Sequence, residues 1–142
     1  MQYMEAPEVK EIAQDIIANL PLDSRVPEAK VVYLFSLAEK SDYAGKIERP
    51  SGTWRYLSNY DFVILIHQNS WKDLDEDQRK ALIYHELLHI THRVSEDGNI
   101  TWKIRKHDFE DFTLVVEKFG YWSPELKELK EAGELSEVDE EK

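Results

Sequence analysis

The sequence predicts a single α+β domain, because a covering helix, a central strand and a long capped helix can be recognised along its 142 residues. Residues 7–19 place apolar side chains on one helical stripe that stops at Pro21. Residues 60–67 are apolar on both faces, as expected for an internal or covered strand. Asp75, with Gln78 three residues later, forms a capping box that opens a long helix. A small mixed or antiparallel sheet packed with helices accommodates these elements.

Further elements are expected in order along the chain. Residues 29–38 are rich in β-branched and aromatic side chains and predict a strand. Residues 40–59 are polar and interrupted by glycine and proline, although a short strand is expected near residues 44–49. The long helix should continue to about Val94, because the turn-forming residues 97–99 follow shortly afterwards.

The last part of the chain predicts a strand, a helix and a tail. Residues 100–105 alternate enough to indicate a short strand, and residues 108–119 predict a helix that ends at Gly120. The acidic residues 134–142 are expected to be disordered. The sequence therefore indicates one domain at residues 1–133, with no internal repeat, followed by this tail.

Composition and charge limit the classes of function. The net charge of -11, from 29 acidic and 18 basic side chains, argues against nucleic-acid binding, which needs a clustered basic surface. The absence of cysteine excludes disulfides, thiolate metal sites and a cysteine nucleophile. The N-terminus does not have a signal-peptide pattern, and the longest apolar run, residues 62–66, is far shorter than the roughly 20 residues of a membrane span. We expect a soluble cytoplasmic protein without a membrane partner.

The strongest chemical signal is the sequence His85-Glu86-Leu87-Leu88-His89 within the long helix. Histidines four residues apart lie on one helix face, so both imidazoles can reach one metal ion. Glu86 projects beside them, where it can take a proton from an attacking water. The competing interpretation is that these polar side chains only solvate an exposed helix face. The pattern favours a zinc site, since the core-facing stripe and the histidine face are distinct.

A catalytic zinc site needs a third protein ligand and a position for water. The extended metzincin pattern is excluded, because it requires glycine and histidine at the positions of His92 and Ser95. His92 is disfavoured, since three ligands on one straight helix would spread over about 10 Å. Glu96 would need a sharp reversal of the chain, and His67 is interpreted as a strand-end residue. The candidates on sequence alone are His92, Glu96, His107, Asp108, Glu110 and Asp111.

Two sequence blocks resemble a known family. Residues 84–90 (YHELLHI) and residues 105–112 (RKHDFEDF), before a helix that ends in Gly120-Tyr121-Trp122, are similar to the phage-type metallopeptidase domain. The resemblance covers roughly residues 7–122. It implies a minimal zincin-like fold with an N-terminal helix, a helix carrying the HExxH motif and a C-terminal helix. It also implies one zinc ion per chain and favours His107 as the third ligand.

A more distant likeness is to SprT-like metalloproteases, which also pair such a helix with a downstream histidine. That family is known to act on proteins crosslinked to DNA. This chain lacks the cysteine-rich zinc module of that family, and its net charge provides no DNA-binding surface. The DNA-linked substrate is therefore not transferred to this chain.

The predicted activity is zinc-dependent hydrolysis of a peptide bond in a protein or peptide substrate, with Glu86 as general base. Asp108, Glu110 or Asp111 could accept the N–H of a ligating histidine. Tyr121 is the first candidate for stabilising the oxyanion, beside Tyr84 and Arg105, and the sequence does not choose among them. The family resemblance also suggests that an edge strand at residues 43–48 holds the substrate backbone.

Two alternatives remain on sequence grounds. A non-catalytic regulatory or structural zinc protein would close its site with a fourth ligand, such as His92 or Asp108. Glu86 favours the enzyme, because a structural site does not need it. A latent peptidase that acts only on one partner is the other alternative.

Overall fold

The computed structural model describes residues 2–106 and forms a small α+β domain. Within this range there are six strands, four helices and one 3-10 turn at Val26–Glu28. The strands are β1 (Tyr3–Glu5), β2 (Val31–Ser36), β3 (Gly45–Glu48), β4 (Phe62–His67), β5 (Ile90–Val94) and β6 (Ile100–Ile104). The helices are α1 (Pro7–Asn19), α2 (Gly52–Ser58), α3 (Gln68–Lys72) and α4 (Glu76–Leu88).

Four strands form one mixed sheet in the order β1-β2-β4-β3. β4 lies parallel to β2 and antiparallel to β3, while β1 lies antiparallel to β2. Every residue of β4 is buried, which confirms the prediction of an internal strand. β3 pairs only with β4 among the described residues and forms one edge of the sheet. β3 also contacts α4, so this edge of the sheet lies beside the helix that carries the His85–His89 motif.

The core lies between the sheet and helices α1 and α4. Phe62, Ile64 and Ile66 alternate along β4 and belong to this core, each with no exposed surface. Val63 and Leu65 point to the opposite face of the sheet and are also buried. Successive side chains of a strand point to opposite faces of the sheet, and both faces are covered at β4. Both sets of β4 side chains are therefore apolar.

Helix α4 begins as the sequence predicts and ends earlier. The capping box is present: Gln78 N–H donates to Asp75 Oδ1 at 2.8 Å, and Asp75 N–H donates to Gln78 Oε1 at 3.0 Å. The prediction that the helix continues to Val94 was wrong, because it ends at Leu88 with His89 as its C-cap. The following residues form β5, whose backbone pairs with β6. This pairing with a segment ten residues away overrides the local helical pattern.

Four elements were absent from the sequence-based prediction: β1, α2, α3 and β5. α2 lies in the polar stretch where Pro50 and Gly52 suggested a loop. It ends at Asn59, which adopts a left-handed conformation with φ of 61°. Arg55 anchors it by an ion pair of 2.6 Å with the buried Asp61. The helix is therefore fixed by contacts outside its own sequence.

The β5–β6 hairpin forms a separate two-stranded sheet. Trp102 packs edge-on against Phe62, with ring centroids 5.9 Å apart, and Arg49 donates to the Trp102 carbonyl at 2.7 Å. These contacts attach the hairpin to the end of β4. The strand predicted at residues 100–105 is confirmed as β6.

Several sequence-based predictions lie outside the described residues. They are the helix at 108–119, the boundary at residue 133 and the disordered tail at 134–142. Within residues 2–106, no helix is both long and apolar enough to cross a membrane.

Candidate metal centre

His85, Glu86 and His89 come together where α4 ends. One ligand-capable atom from each residue lies within 4.8 Å of the others. The two imidazole rings are 5.2 Å apart between centroids and inclined by 68°. Zinc–nitrogen bonds are about 2.0–2.1 Å long, so donor atoms this close together are near the separation that one shared ion requires. In this arrangement, the candidate donor atoms of the motif lie around one point.

The cluster is set into the protein and not spread over an exposed helix face. Glu86 is 3% exposed, and the side chain of His85 is 13% exposed. Glu86 Oε2 lies 4.0 Å from His85 Nε2. A buried carboxylate has a large desolvation cost, which a neighbouring cation offsets. Two imidazoles and a carboxylate are donors that suit zinc, so the residues present fit this metal.

The hairpin fixes the orientation of His89. Its Nδ1 lies 2.6 Å from the Arg105 carbonyl oxygen, and Arg105 N–H donates to the His89 carbonyl at 2.6 Å. A carbonyl can only accept, so Nδ1 carries the hydrogen and Nε2 carries the lone pair of the neutral ring. Metal-ligating histidines commonly show this arrangement. The sequence could not reveal it, because the acceptor is a backbone atom.

Glu86 also lies beside the edge of the main sheet. A Cβ atom built on Gly45, the first residue of β3, would lie 3.4 Å from Glu86 Oε2. The carboxylate is therefore next to the backbone of β3.

His92 lies outside the cluster. It belongs to β5 and not to the metal helix, so the sequence argument that disfavoured it used the wrong element. Its Nδ1 lies 2.7 and 2.9 Å from the two carboxylate oxygens of Asp23, and Thr91 donates to Asp23 at 3.0 Å. Burial alone would raise the pKa of Asp23. The hydrogen bonds from Arg25 N–H, His92 and Thr91 outweigh this effect and lower the pKa.

His67 has a structural function that the sequence did not indicate. It is 4% exposed, and its Nε2–H donates to the Ala38 carbonyl at 2.7 Å. Its Nδ1 then accepts from the Ser70 hydroxyl at 2.7 Å and from Ser70 N–H at 3.3 Å. The residue ends β4, as expected, and also caps α3.

The remaining candidates are divided between exposed, buried and undescribed positions. Glu96 is exposed in the hairpin turn. Tyr84 is buried, and its hydroxyl donates to the Pro21 carbonyl at 2.9 Å. This hydrogen bond directs the Tyr84 side chain towards the loop after α1. Arg105 contributes its backbone to His89. His107, Asp108, Glu110, Asp111 and Tyr121 lie outside the described residues.

The fold and the donor cluster define a small α+β domain with a metal-binding helix. The chain matches the family described as "Putative phage metallopeptidase" over residues 1–132. The chain belongs to this family, which confirms the resemblance seen in its motifs. The description of the family indicates a metal-binding protein of the metallopeptidase class. The searches of curated proteins and of solved structures found no match.

Proposed function

We propose that this protein is a zinc-dependent metallopeptidase that hydrolyses peptide bonds in a protein or peptide substrate. The observation that carries the proposal is the buried Glu86 carboxylate beside two histidines whose donor atoms lie within 4.8 Å. A structural zinc site has no use for such a carboxylate, whereas a hydrolytic site needs a base at this position. The absence of cysteine fits a reducing compartment, and we propose that the domain acts in the cytoplasm.

The proposed zinc ligands are His85, His89 and His107. Arg105 bonds to both the ring and the backbone carbonyl of His89. The resemblance to the metallopeptidase family supports His107 over the other candidates, which are Glu96, Asp108, Glu110 and Asp111. Three histidines leave a fourth position for water.

Zinc, when bound, lowers the pKa of water and polarises a carbonyl group. Glu86 accepts a proton from the water that attacks the scissile carbonyl and transfers it to the amine that leaves. Its burial excludes bulk water from this proton transfer. The Arg105 carbonyl holds His89 in one tautomer, which would leave its Nε2 lone pair available to bind the metal. Tyr121 is the proposed oxyanion donor, and Asp108, Glu110 or Asp111 are proposed acceptors for a histidine N–H.

The edge strand β3 is the proposed support for the substrate backbone. His67 N–H donates to the Ala44 carbonyl at 2.8 Å, so these residues form a hydrogen-bonded pair. Bonded and non-bonded pairs alternate in an antiparallel ladder. Gly45 and Ile47 therefore direct their N–H and C=O groups away from β4. An extended peptide can pair with these groups, and Gly45 places it beside Glu86.

The experiment that tests the proposal measures zinc content and peptide cleavage together. Elemental mass spectrometry on the parent protein should give about one zinc per chain, as a site with one ion requires. Glu86→Gln should retain this zinc and lose cleavage of a mixed peptide library by at least about 100-fold, because the general base is lost. His107→Ala should lose most of the zinc.

Each outcome separates the alternatives. If His107→Ala retains its zinc, the third ligand would instead be assigned to one of the downstream carboxylates. Equal cleavage by the parent and Glu86→Gln would contradict the assigned mechanism. Bound zinc without cleavage of any peptide or intact protein would favour a non-catalytic zinc protein. His92→Ala is the matched control, since it removes a neighbouring histidine whose partner is Asp23.

A further inference from the structure

Gly45 occupies a position where an added side chain would be crowded by neighbouring side chains. It begins β3 opposite Ile66, on the face of the sheet that meets α4. An added Cβ would lie 2.9 Å from Ile66 Cδ1, 3.2 Å from Leu82 Cδ1 and 3.4 Å from Glu86 Oε2. The backbone φ of Gly45 is not in the positive range, unlike those of Gly52 and Gly98. Space, and not backbone conformation, therefore favours glycine at this position, because an added methyl group would have to displace the end of the Ile66 side chain.

The neighbours of Gly45 connect it to the proposed general base. Leu82 and Glu86 are four residues apart, so they lie on the same face of α4. That face meets β3 at Gly45, where the strand and helix come close together. Gly45 also directs its N–H and C=O to the outer edge of the sheet, as the ladder alternation requires. One residue thus contributes to the substrate-holding edge and lies beside the carboxylate.

We propose that Gly45 is a positioning residue: the lack of a side chain sets the separation between the outer edge of β3 and the Glu86 carboxylate. The proposal rests on the proposed function, in which β3 holds the substrate and Glu86 transfers the proton. A general base must come within about 2.6–3.2 Å of its proton donor. A separation that grows by only a few tenths of an ångström makes this transfer slower.

Gly45→Ala tests the proposal by separating binding from turnover. The methyl group would press on the ends of Ile66 and Leu82, and we expect it to move the Leu82–Glu86 face of α4 outward by a few tenths of an ångström. We expect kcat to fall about 10-fold, since small misplacements of a catalytic group are costly. KM should stay within about twofold, because the outward N–H and C=O groups of β3 are unchanged. Zinc content should remain at about one per chain.

Two further variants distinguish positioning from general destabilisation. Gly52→Ala is the matched control, because this glycine has a positive φ of 46° and nothing within 4 Å of its added Cβ. It should lower the melting temperature and leave kcat unchanged. Gly45→Ala combined with Ile66→Val removes Cδ1, the atom nearest to the new methyl group. This double variant should recover part of the lost kcat.

A crystal structure of Gly45→Ala provides a measurement that does not depend on activity. The separation between the Cα of residue 45 and the Glu86 carboxyl carbon should increase relative to the parent. An unchanged separation, or a kcat equal to that of the parent, would overturn the positioning role. A parent without activity, or an active Glu86→Gln, would instead reject the proposed function, and the two failures are therefore distinguishable.

Discussion

The β4–α4 scaffold and the β5–β6 hairpin meet at the same metal centre, but different contacts hold them in place. β4 and most of α4 are buried in the core, and they fix the positions of His85 and Glu86 by packing. The hairpin is largely exposed and reaches the site through the hydrogen bonds between Arg105 and His89. Packing therefore fixes the proposed base, and a peripheral hairpin orients a proposed metal ligand. Changes in the two regions should have different consequences.

The largest effect is expected from a change in the scaffold. Leu87 has no exposed surface and belongs to the core, although it lies within the metal motif. Leu87→Ala should reduce the free energy of unfolding by about 2–5 kcal/mol, because it removes buried apolar contacts and leaves a cavity. Urea denaturation measures this loss. A loss below about 1 kcal/mol would show that α4 is not part of the main core.

A smaller effect on stability, with a clear effect on zinc, is expected from the hairpin. Trp102 is half-buried and packs against Phe62, which connects β6 to the end of β4. Trp102→Ala should reduce the free energy of unfolding by less than the roughly 3–5 kcal/mol that a fully buried tryptophan contributes, because Trp102 is only half-buried. It should also weaken zinc binding about 10-fold, as expected when the partner that orients a ligating histidine becomes mobile.

Competition with a chromogenic chelator measures the zinc affinity of this variant. Trp54→Ala is the matched control, because Trp54 is 47% exposed on α2. The control should bind zinc like the parent. Equal zinc affinity in both variants would mean that the scaffold alone orients His89.

The smallest effect concerns the loop after α1, in which Asp23 forms hydrogen bonds with Thr91 and His92 of the hairpin. The pKa of Asp23 is lowered from 3.8, so its carboxylate favours the folded state above that pH. This contribution is lost as the pH falls through the lower pKa of the folded state. Asp23→Asn should therefore show a shallower loss of unfolding free energy below pH 3.8 than the parent does. Parallel curves for the two proteins in urea titrations at several pH values would contradict the assignment.

The start of α4 could be predicted because its signal is local. Asp75 and Gln78 are three residues apart and satisfy each other through backbone N–H groups. The end of α4 could not be predicted in the same way. Ile90 and Val94 continue the helical stripe, and only their pairing with Ile104 and Ile100 makes them a strand.

The metal centre was predictable to the extent that it depends on side-chain type. His85, Glu86 and His89 are recognisable from their spacing, and the described structure brings them together. The Arg105 carbonyl and the space at Gly45 involve backbone atoms and depend on the tertiary arrangement. Residue type carries no signal for either feature. For the same reason, the cap formed by His67 was interpreted only as a strand end.

The early end of α4 also has an electrostatic consequence. The aligned peptide dipoles of a helix leave about half a negative charge at its C-terminus. Because α4 stops at Leu88, this negative end lies at His89 and not six residues further along the chain. Any cation held by His85 and His89 therefore gains about 0.3–1 kcal/mol from the helix dipole. A helix continuing to Val94 would have moved that end about 9 Å away.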